Sequence, residues 1–234
     1  MCGGFVILQS MIKAHIFRVF TDSVGNFGDR ASIVIDEGRH IPDSERQTIA
    51  QKLNTGETIF INNIAFADIS VMHPQGEISF AGVGVLAAAW FLASLNGSPV
   101  EHIKGRDGII QSWQEGAITW VRSSINAMPS WNFKQVNSSQ AVGEILPEAM
   151  SHIEHTMVWS WIDETKGIIR ARTFAPDWEI PEAEGNGSGA MVLASKLSKR
   201  LKIIHGKGSE IIAHPIEHEY ALGGKVVQDK TLIL

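Results

Sequence analysis

A carboxylate at a chain corner and two glycine-rich helix starts are the features of this 234-residue sequence whose types and spacing suit chemistry. The carboxylate is Glu57, in Thr55-Gly56-Glu57-Thr58, between a helical pattern ending at Leu53 and a strand pattern starting near Thr58. Turned into a cleft, such a group has its pKa raised by partial burial toward the range of a general base. The competing reading is a solvated turn carboxylate, the usual place for a glutamate. The glycine turns are Gly82-Val83-Gly84 and Gly185-Asn186-Gly187-Ser188-Gly189, each followed by an apolar helix. A helix start of this kind offers unpaired N–H groups and the positive end of its dipole, which suits a carboxylate, a phosphate or a developing oxyanion. Two of them could face one small ligand across a cleft. The alternative is that the glycines only let buried helices enter without side-chain clashes. Neither turn has the Gly-Lys-Ser/Thr of a P-loop or the spacing of a dinucleotide fingerprint, so a dinucleotide-dependent reductase is disfavoured.

Other chemistry is excluded by composition and spacing. Of the nine histidines, His152 and His155 lie three apart and His214 and His218 four apart, but Pro215 follows His214 and no carboxylate–histidine motif joins them. No metal site is expected. Ser188 sits in Gly-Ser-Gly, without the spacing of a nucleophile elbow. One cysteine, Cys2, excludes an intrachain disulfide, a thiolate zinc cluster and a catalytic cysteine pair. A formal net charge of −5 argues against nucleic acid as a partner, and it makes the seven tryptophans core residues rather than a base-stacking surface. The basic cluster Lys196, Lys199, Arg200 and Lys202 reads as a solvated face near a helix C-terminus. The longest apolar run, Val83 to Leu95, is broken by Gly84 and Ser94 and falls short of the ~20 residues of a membrane span. The start, MCGGFVILQS, lacks the basic residues and long apolar stretch of a secretory signal. A soluble cytoplasmic protein acting on a small molecule is expected, with residues 1–10 as a loose extension before Met11.

The elements that must position these groups are mostly strands. Alternating or β-branched runs predict strands over Ala14–Phe20, Ala31–Ile35, Thr58–Asn62, Ala67–Met72, Ala117–Arg122, Met157–Ile162 and Gly167–Phe174, and a last one over Val226–Leu234 after a Gly223-Gly224 turn. Helices are predicted over Ser44–Leu53, Val83–Leu95 and Gly189–Leu201. Single helices among many strands indicate an α+β fold. An internal repeat organises it: Pro74, Glu77 and Ile78 recur 102 residues later as Pro176, Glu179 and Ile180, each set followed by a glycine turn and an apolar helix. Two similar lobes follow, residues 11–126 and 127–234, with a boundary near Asn126 to Ser130 and the final strand packing back on the first lobe.

The motifs also resemble a known family. FRVFTDSVGNFGDRASIVI is similar to the opening of the PhzF-like (phenazine biosynthesis) family, LNTGETIFI to its "SET-x-F" signature, and HPQGEISFAGVGVLAAAWFL to its first glycine-turn motif. RTFAPDWEIPEAEGNGSGAMVLA resembles the second, while GKGSEIIAHP and LGGKVVQDKTL resemble the closing strands. These matches run in order over residues 12–234, as in a divergent, short member. The resemblance implies the diaminopimelate-epimerase-like fold, with two pseudo-symmetric barrel-like lobes, each around a central helix, and an active site between them. It implies a cofactor-free isomerase that moves a proton in a small carboxylate- or carbonyl-bearing biosynthetic metabolite, in a family where homodimers are common. The residue carried over from the "SET" signature is Glu57, with Gly82, Val83, Gly84, Asn186, Gly187 and Ser188 binding substrate. The two-cysteine epimerase chemistry of related proteins is closed to a chain with Cys2 alone. Where the family usually has Gly-His this chain has Gly82-Val83, and where it has Asp this chain has Ala183, with Asn186 in place of Thr. Glu182 and Glu184 flank that position and are candidate substitutes for the acid. The alternative is an inactive PhzF-like protein, a small-molecule binder or dimeric scaffold that has lost its relay.

Overall fold

The computed structural model describes residues 11–124, 126, 128–216 and 219–234. The expected extension over residues 1–10 with Cys2, as well as Ala127 at the expected boundary and His218, lies outside the described residues. The chain runs β1 (Lys13–Thr21), β2 (Asp29–Ile35), α1 (Asp43–Leu53), β3 (Glu57–Asn63), β4 (Asp68–His73), β5 (Gly76–Ile78), α2 (Gly82–Asn96), β6 (His102–Gly105), β7 (Gly108–Glu115) and β8 (Ile118–Ser123). It continues with β9 (Asn132–Gln135), α3 (Ser139–Gly143), β10 (Thr156–Asp163), β11 (Ile168–Ala175), β12 (Ile180–Ala183), α4 (Gly187–Lys196), β13 (Leu201–His205), β14 (Ser209–Ile216) and β15 (Glu219–Ile233).

Strand order makes this a mixed α+β fold built on a closed barrel. Strands β1-β2-β3-β4-β6-β7-β8-β15 follow one another, and β15 pairs back onto β1, so eight strands close a ring. Closure removes the free edges that would otherwise invite another chain to pair. Inside the ring runs α2, whose sequence GVGVLAAAWFLASLN is apolar all round, as a helix surrounded by protein must be. Val85, Leu86, Ala87, Ala88 and Leu92 are fully buried there. From β15 the sheet continues through β14, β13, β11 and β10 to β9, with α4 packed on β14, β15 and β13. One order of pairings recurs. β2 and β3 are parallel, β3 and β4 antiparallel, β4 and β6 parallel. Correspondingly, β9 and β10 are parallel, β10 and β11 antiparallel, β11 and β13 parallel. The link across the second parallel step of each set, from β4 to β6 and from β11 to β13, carries a glycine-started helix, α2 and α4.

Two sequence expectations are corrected. The helix expected over Gly189–Leu201 ends at Lys196. Ser198 adopts a left-handed backbone (φ 47°), the chain reverses, and Leu201 opens β13 as a fully buried strand residue. Gly223 and Gly224 make no turn. They lie within the fifteen residues of β15, where a Cβ on Gly223 would strike the Trp120 ring and one on Gly224 the Phe20 ring. Glycine is required there for close approach to an aromatic face, a need with the same residue signature as a turn. Among the described residues, no helix is long and apolar enough to cross a membrane.

Candidate active site

The corner that carries Glu57 is built by three local requirements. α1 ends at Asn54 in a left-handed conformation (φ 48°), and Gly56 takes φ 77°, which costs a residue without Cβ little. Ser32 on β2 lies 2.8 Å from the hydroxyls of both Thr55 and Thr58, fixing the corner to the barrel wall. In the parallel register of β2 and β3, Ala31 sits beside Glu57. Ala31 and Ile33 pack in one core cluster with α2, so this strand face looks into the barrel, and Asp29, two residues before Ala31, shares it.

The start of α2 completes the arrangement. Its N-cap, Ala81, has no side chain able to cap, and the Gly84 N–H instead donates to Glu57 Oε2 at 2.6 Å. A Cβ on Gly84 would lie 3.2 Å from that oxygen, so glycine gives the carboxylate room. Burial, followed by the negative charge of Asp29, pushes the Glu57 pKa up to about 8 against the pull of this hydrogen bond.

The second glycine turn is organised differently. Asn186 caps α4 itself, its Oδ1 accepting from the Gly189 N–H at 2.8 Å. Its Nδ2 donates to Thr173 Oγ1 at 3.1 Å, which lies 2.8 Å from His205 Nε2, while His205 Nδ1 is 2.9 Å from the Glu184 carbonyl. A carbonyl only accepts, so Nδ1 carries the ring proton and Nε2 accepts from the Thr173 hydroxyl. Burial holds His205 neutral, with its pKa lowered to about 4.

The two helix starts meet. A Cβ on Gly82 would lie 2.5 Å from Leu222 Cδ2 and 3.7 Å from the Gly187 Cα, and one on Gly187 would lie 2.7 Å from the same leucine methyl. The first intrahelical bonds begin at the N–H groups of Val85 and Ala190, so those of Gly82, Val83, Gly187 and Ser188 stand outside both ladders. Val83 and Asn186 are buried. The Ser188 hydroxyl is engaged, accepting from Trp131 Nε1 at 3.0 Å and donating to Asn186 Oδ1 at 3.3 Å. Of the two candidate acids, Glu182 forms a two-point ion pair with Arg172, at 2.7 and 2.8 Å, which holds its carboxyl below the usual range. Glu184 accepts from Ser209 Oγ at 2.8 Å and borders an open cleft of about 740 Å³.

Asp29, which the sequence reading passed over, borders the same cleft, as do Arg30, Thr55, Gly56 and Lys207. Its carboxylate accepts from the Arg30 N–H at 2.9 Å, and the bare backbone of Gly185 packs against it. A Cβ on Gly185 would lie 3.1 Å from the Asp29 Cβ, so glycine lets this turn pack closely on the acid. Burial, and then the charge of Glu184, raise the Asp29 pKa to about 6. In sequence the residue is marked only as an acid after Gly28 at the opening of a strand. Among the described residues, no cluster of three or more His, Cys, Asp or Glu side chains could hold a metal ion.

A closed barrel on a buried helix, continued through a shared strand onto a sheet with a second glycine-started helix, is the fold of PhzF and proline-racemase-like proteins. Within that class the likeness to PhzF-family structures is the greater, in keeping with the sequence motifs. The chain superposes on a phenazine biosynthesis protein of the PhzF family from Enterococcus faecalis with a TM-score of 0.77 at 16% identity, covering 96% of this chain and 99% of that one. The corresponding PhzF-family protein of Bacillus anthracis gives 0.68 at 17% identity, with 96% and 99% covered. A hydroxyproline epimerase from Agrobacterium vitis, with bound trans-4-hydroxy-L-proline, gives 0.59 at 9% identity, with 96% and 91% covered. No protein-family model matches the sequence.

Proposed function

We propose that the protein is a cofactor-independent isomerase of PhzF-like type, in which Glu57 moves a proton on carbon in a small metabolite bearing a carboxylate or carbonyl. The observation that carries this reading is the Glu57 carboxylate on the Gly84 N–H, in a setting that brings its pKa close to neutrality, where a carboxyl exchanges protons with a weak carbon acid most effectively. The N–H groups of Gly82, Val83, Gly187 and Ser188, with two helix dipoles behind them, supply fixed positive potential for an anionic substrate group and for the charge that develops when the proton leaves. The repeated pairing order and the meeting of the two helix starts support a reading of residues 11–126 and 127–234 as two pseudo-symmetric lobes with the site between them. The nearness of the fold to both PhzF-family proteins and proline-racemase-like epimerases fits proton transfer at carbon beside a carboxylate.

Deuterium wash-in from heavy water tests the proposal. L-proline, D-proline, trans-4-hydroxy-L-proline and a panel of small cyclic unsaturated carboxylic acids are followed by proton NMR for loss of the signal at the carbon next to the carboxylate. Exchange by the wild-type protein is expected, with a loss of about 100-fold or more in Glu57→Gln. A Glu57→Gln variant that exchanges as fast as wild type refutes the role of this residue, and a wild-type protein inert toward the whole panel refutes the reading.

A further inference from the structure

We propose that Asp29 is the second proton-transfer residue of this site, so that each glycine turn lies against one carboxylate of an acid–base pair. The inference rests on the isomerase reading and deepens it. Its geometry comes from three elements. β2 and β3 run parallel with Ala31 beside Glu57, which puts Asp29 and Glu57 on one inward strand face with only the Ala31 methyl on that face of β2 between them. Glu57 accepts the N–H of Gly84 in the first turn, and Asp29 lies against the backbone of Gly185 in the second. Gly84 and Gly185 each bring a bare backbone against the carboxyl beside them.

The other acids nearby are occupied otherwise. Glu182 is paired with Arg172, and Glu184 is held by Ser209 Oγ. The charged groups around Asp29 are Glu57 from β3, Glu184 ahead of α4, and Arg18 with its ion-pair partner Asp229, Arg30 and Lys207 around the cleft. Two carboxyls under mutual repulsion share one proton over a middle pH range, and the two resulting pKa values belong to the pair. Here the values of about 6 and about 8 bracket neutral pH.

The step balances without a further reactant. The unprotonated carboxyl takes a proton from the substrate carbon, and the C–H electron pair passes into the adjacent carboxylate or carbonyl. The protonated carboxyl then gives its proton to the opposite face of that carbon, or to the far end of a conjugated system, and the electron pair returns to form the new C–H bond. The pair ends with its proton on the other carboxyl, ready for the reverse direction.

Two measurements test this on the intact protein, with Asp29→Asn chosen because Asn keeps an acceptor for the Arg30 N–H. First, carbon-13 NMR of labelled carboxyls follows Glu57 through pH. Removing the Asp29 charge is expected to lower the Glu57 titration by about one unit or more. An unmoved titration overturns the pairing. Second, product formation is measured on a substrate that the wild type exchanges in the wash-in panel. Asp29→Asn is expected to lose about 100-fold or more with its thermal midpoint kept, and Asp29→Glu to recover part of that loss. Wild-type turnover in Asp29→Asn beside a dead Glu57→Gln overturns this inference alone. A wild-type protein inert toward the panel overturns the isomerase reading and the pair with it.

Discussion

At the scale of single residues, the site depends on where side chains are missing. Gly84 leaves the space that the Glu57 carboxylate occupies, and its own N–H holds that carboxylate in place. Gly84→Ala puts a methyl against Ile59 and 3.2 Å from Glu57 Oε2. The protein is expected to fold with a stability loss of about 1–3 kcal/mol, measured by denaturant unfolding. Exchange is expected to fall by at least about tenfold, because a shift of well under an ångström at a proton-transfer group is already costly. The placing of Glu57 at a helix-to-strand corner and of the glycine turns at helix starts was legible in sequence because the signals are local: a helix end, a strand start, and glycines ahead of an apolar run. Asp29 was not. Its role needs the β2–β3 register and the arrival of Gly185 from the other half of the chain, and neither leaves a mark around Gly28-Asp29-Arg30.

At the scale of elements, α1 shows how a polar contact fixes a helix to the outside of the barrel. Arg46 is fully buried and reaches the equally dry Asp36 with Nε at 3.1 Å and with Nη2, while its guanidinium lies 4.7 Å over the Phe60 ring. Asp36 also accepts the backbone N–H groups of His40, at 2.8 Å, and Ile41. Arg46→Ala strands a buried carboxylate, and a loss of about 3–5 kcal/mol is expected by chemical denaturation. Because α1 leads directly into the Glu57 corner, the same variant is expected to loosen hydrogen-exchange protection at residues 54–58. Sequence patterning found this helix at once, but it gave no sign of the ion pair, since Arg46 occupies a position that a helical wheel assigns to the apolar face. The same limit explains β15. Gly223-Gly224 ahead of the run Val226–Leu234 reads as a turn before a strand, whereas the two glycines face Trp120 and Phe20, which lie far away in sequence.

At the scale of the whole molecule, desolvated titrating groups narrow the pH range of stability from both sides. Glu57 and Asp29 have pKa values raised from the usual 4.5 and 3.8 to about 8 and about 6, so stability present at low pH is lost as pH rises through those values. His205 is lowered from 6.5 to about 4, so the folded state resists a proton that the unfolded chain accepts, and stability is lost as pH falls from 6.5 through 4. Scanning calorimetry across pH 4–9 should show a flatter alkaline side in Glu57→Gln and a flatter acidic side in His205→Gln, each relative to wild type. A parallel decline of wild type and Glu57→Gln above pH 5 would contradict the burial assigned to that carboxyl. That the fold is α+β with glycine-started helices was readable from composition and periodicity. That the first ring of strands closes was not, because closure is a property of pairing partners rather than of any one segment.

The seam of that ring joins Lys13 to Ile233 and Thr21 to Lys225. A ribosome makes the first seven strands of the ring long before the eighth, so β1 and β8 must wait with bare edges while more than a hundred residues are still being added. During that interval α2, apolar on every side, has no finished wall around it. Contacts this distant in sequence also make folding slow. The strand that lets the two glycine turns face one another therefore leaves the newborn chain exposed to aggregation, and the protein's yield in a cell should depend on chaperones that cover those edges until β15 is in place.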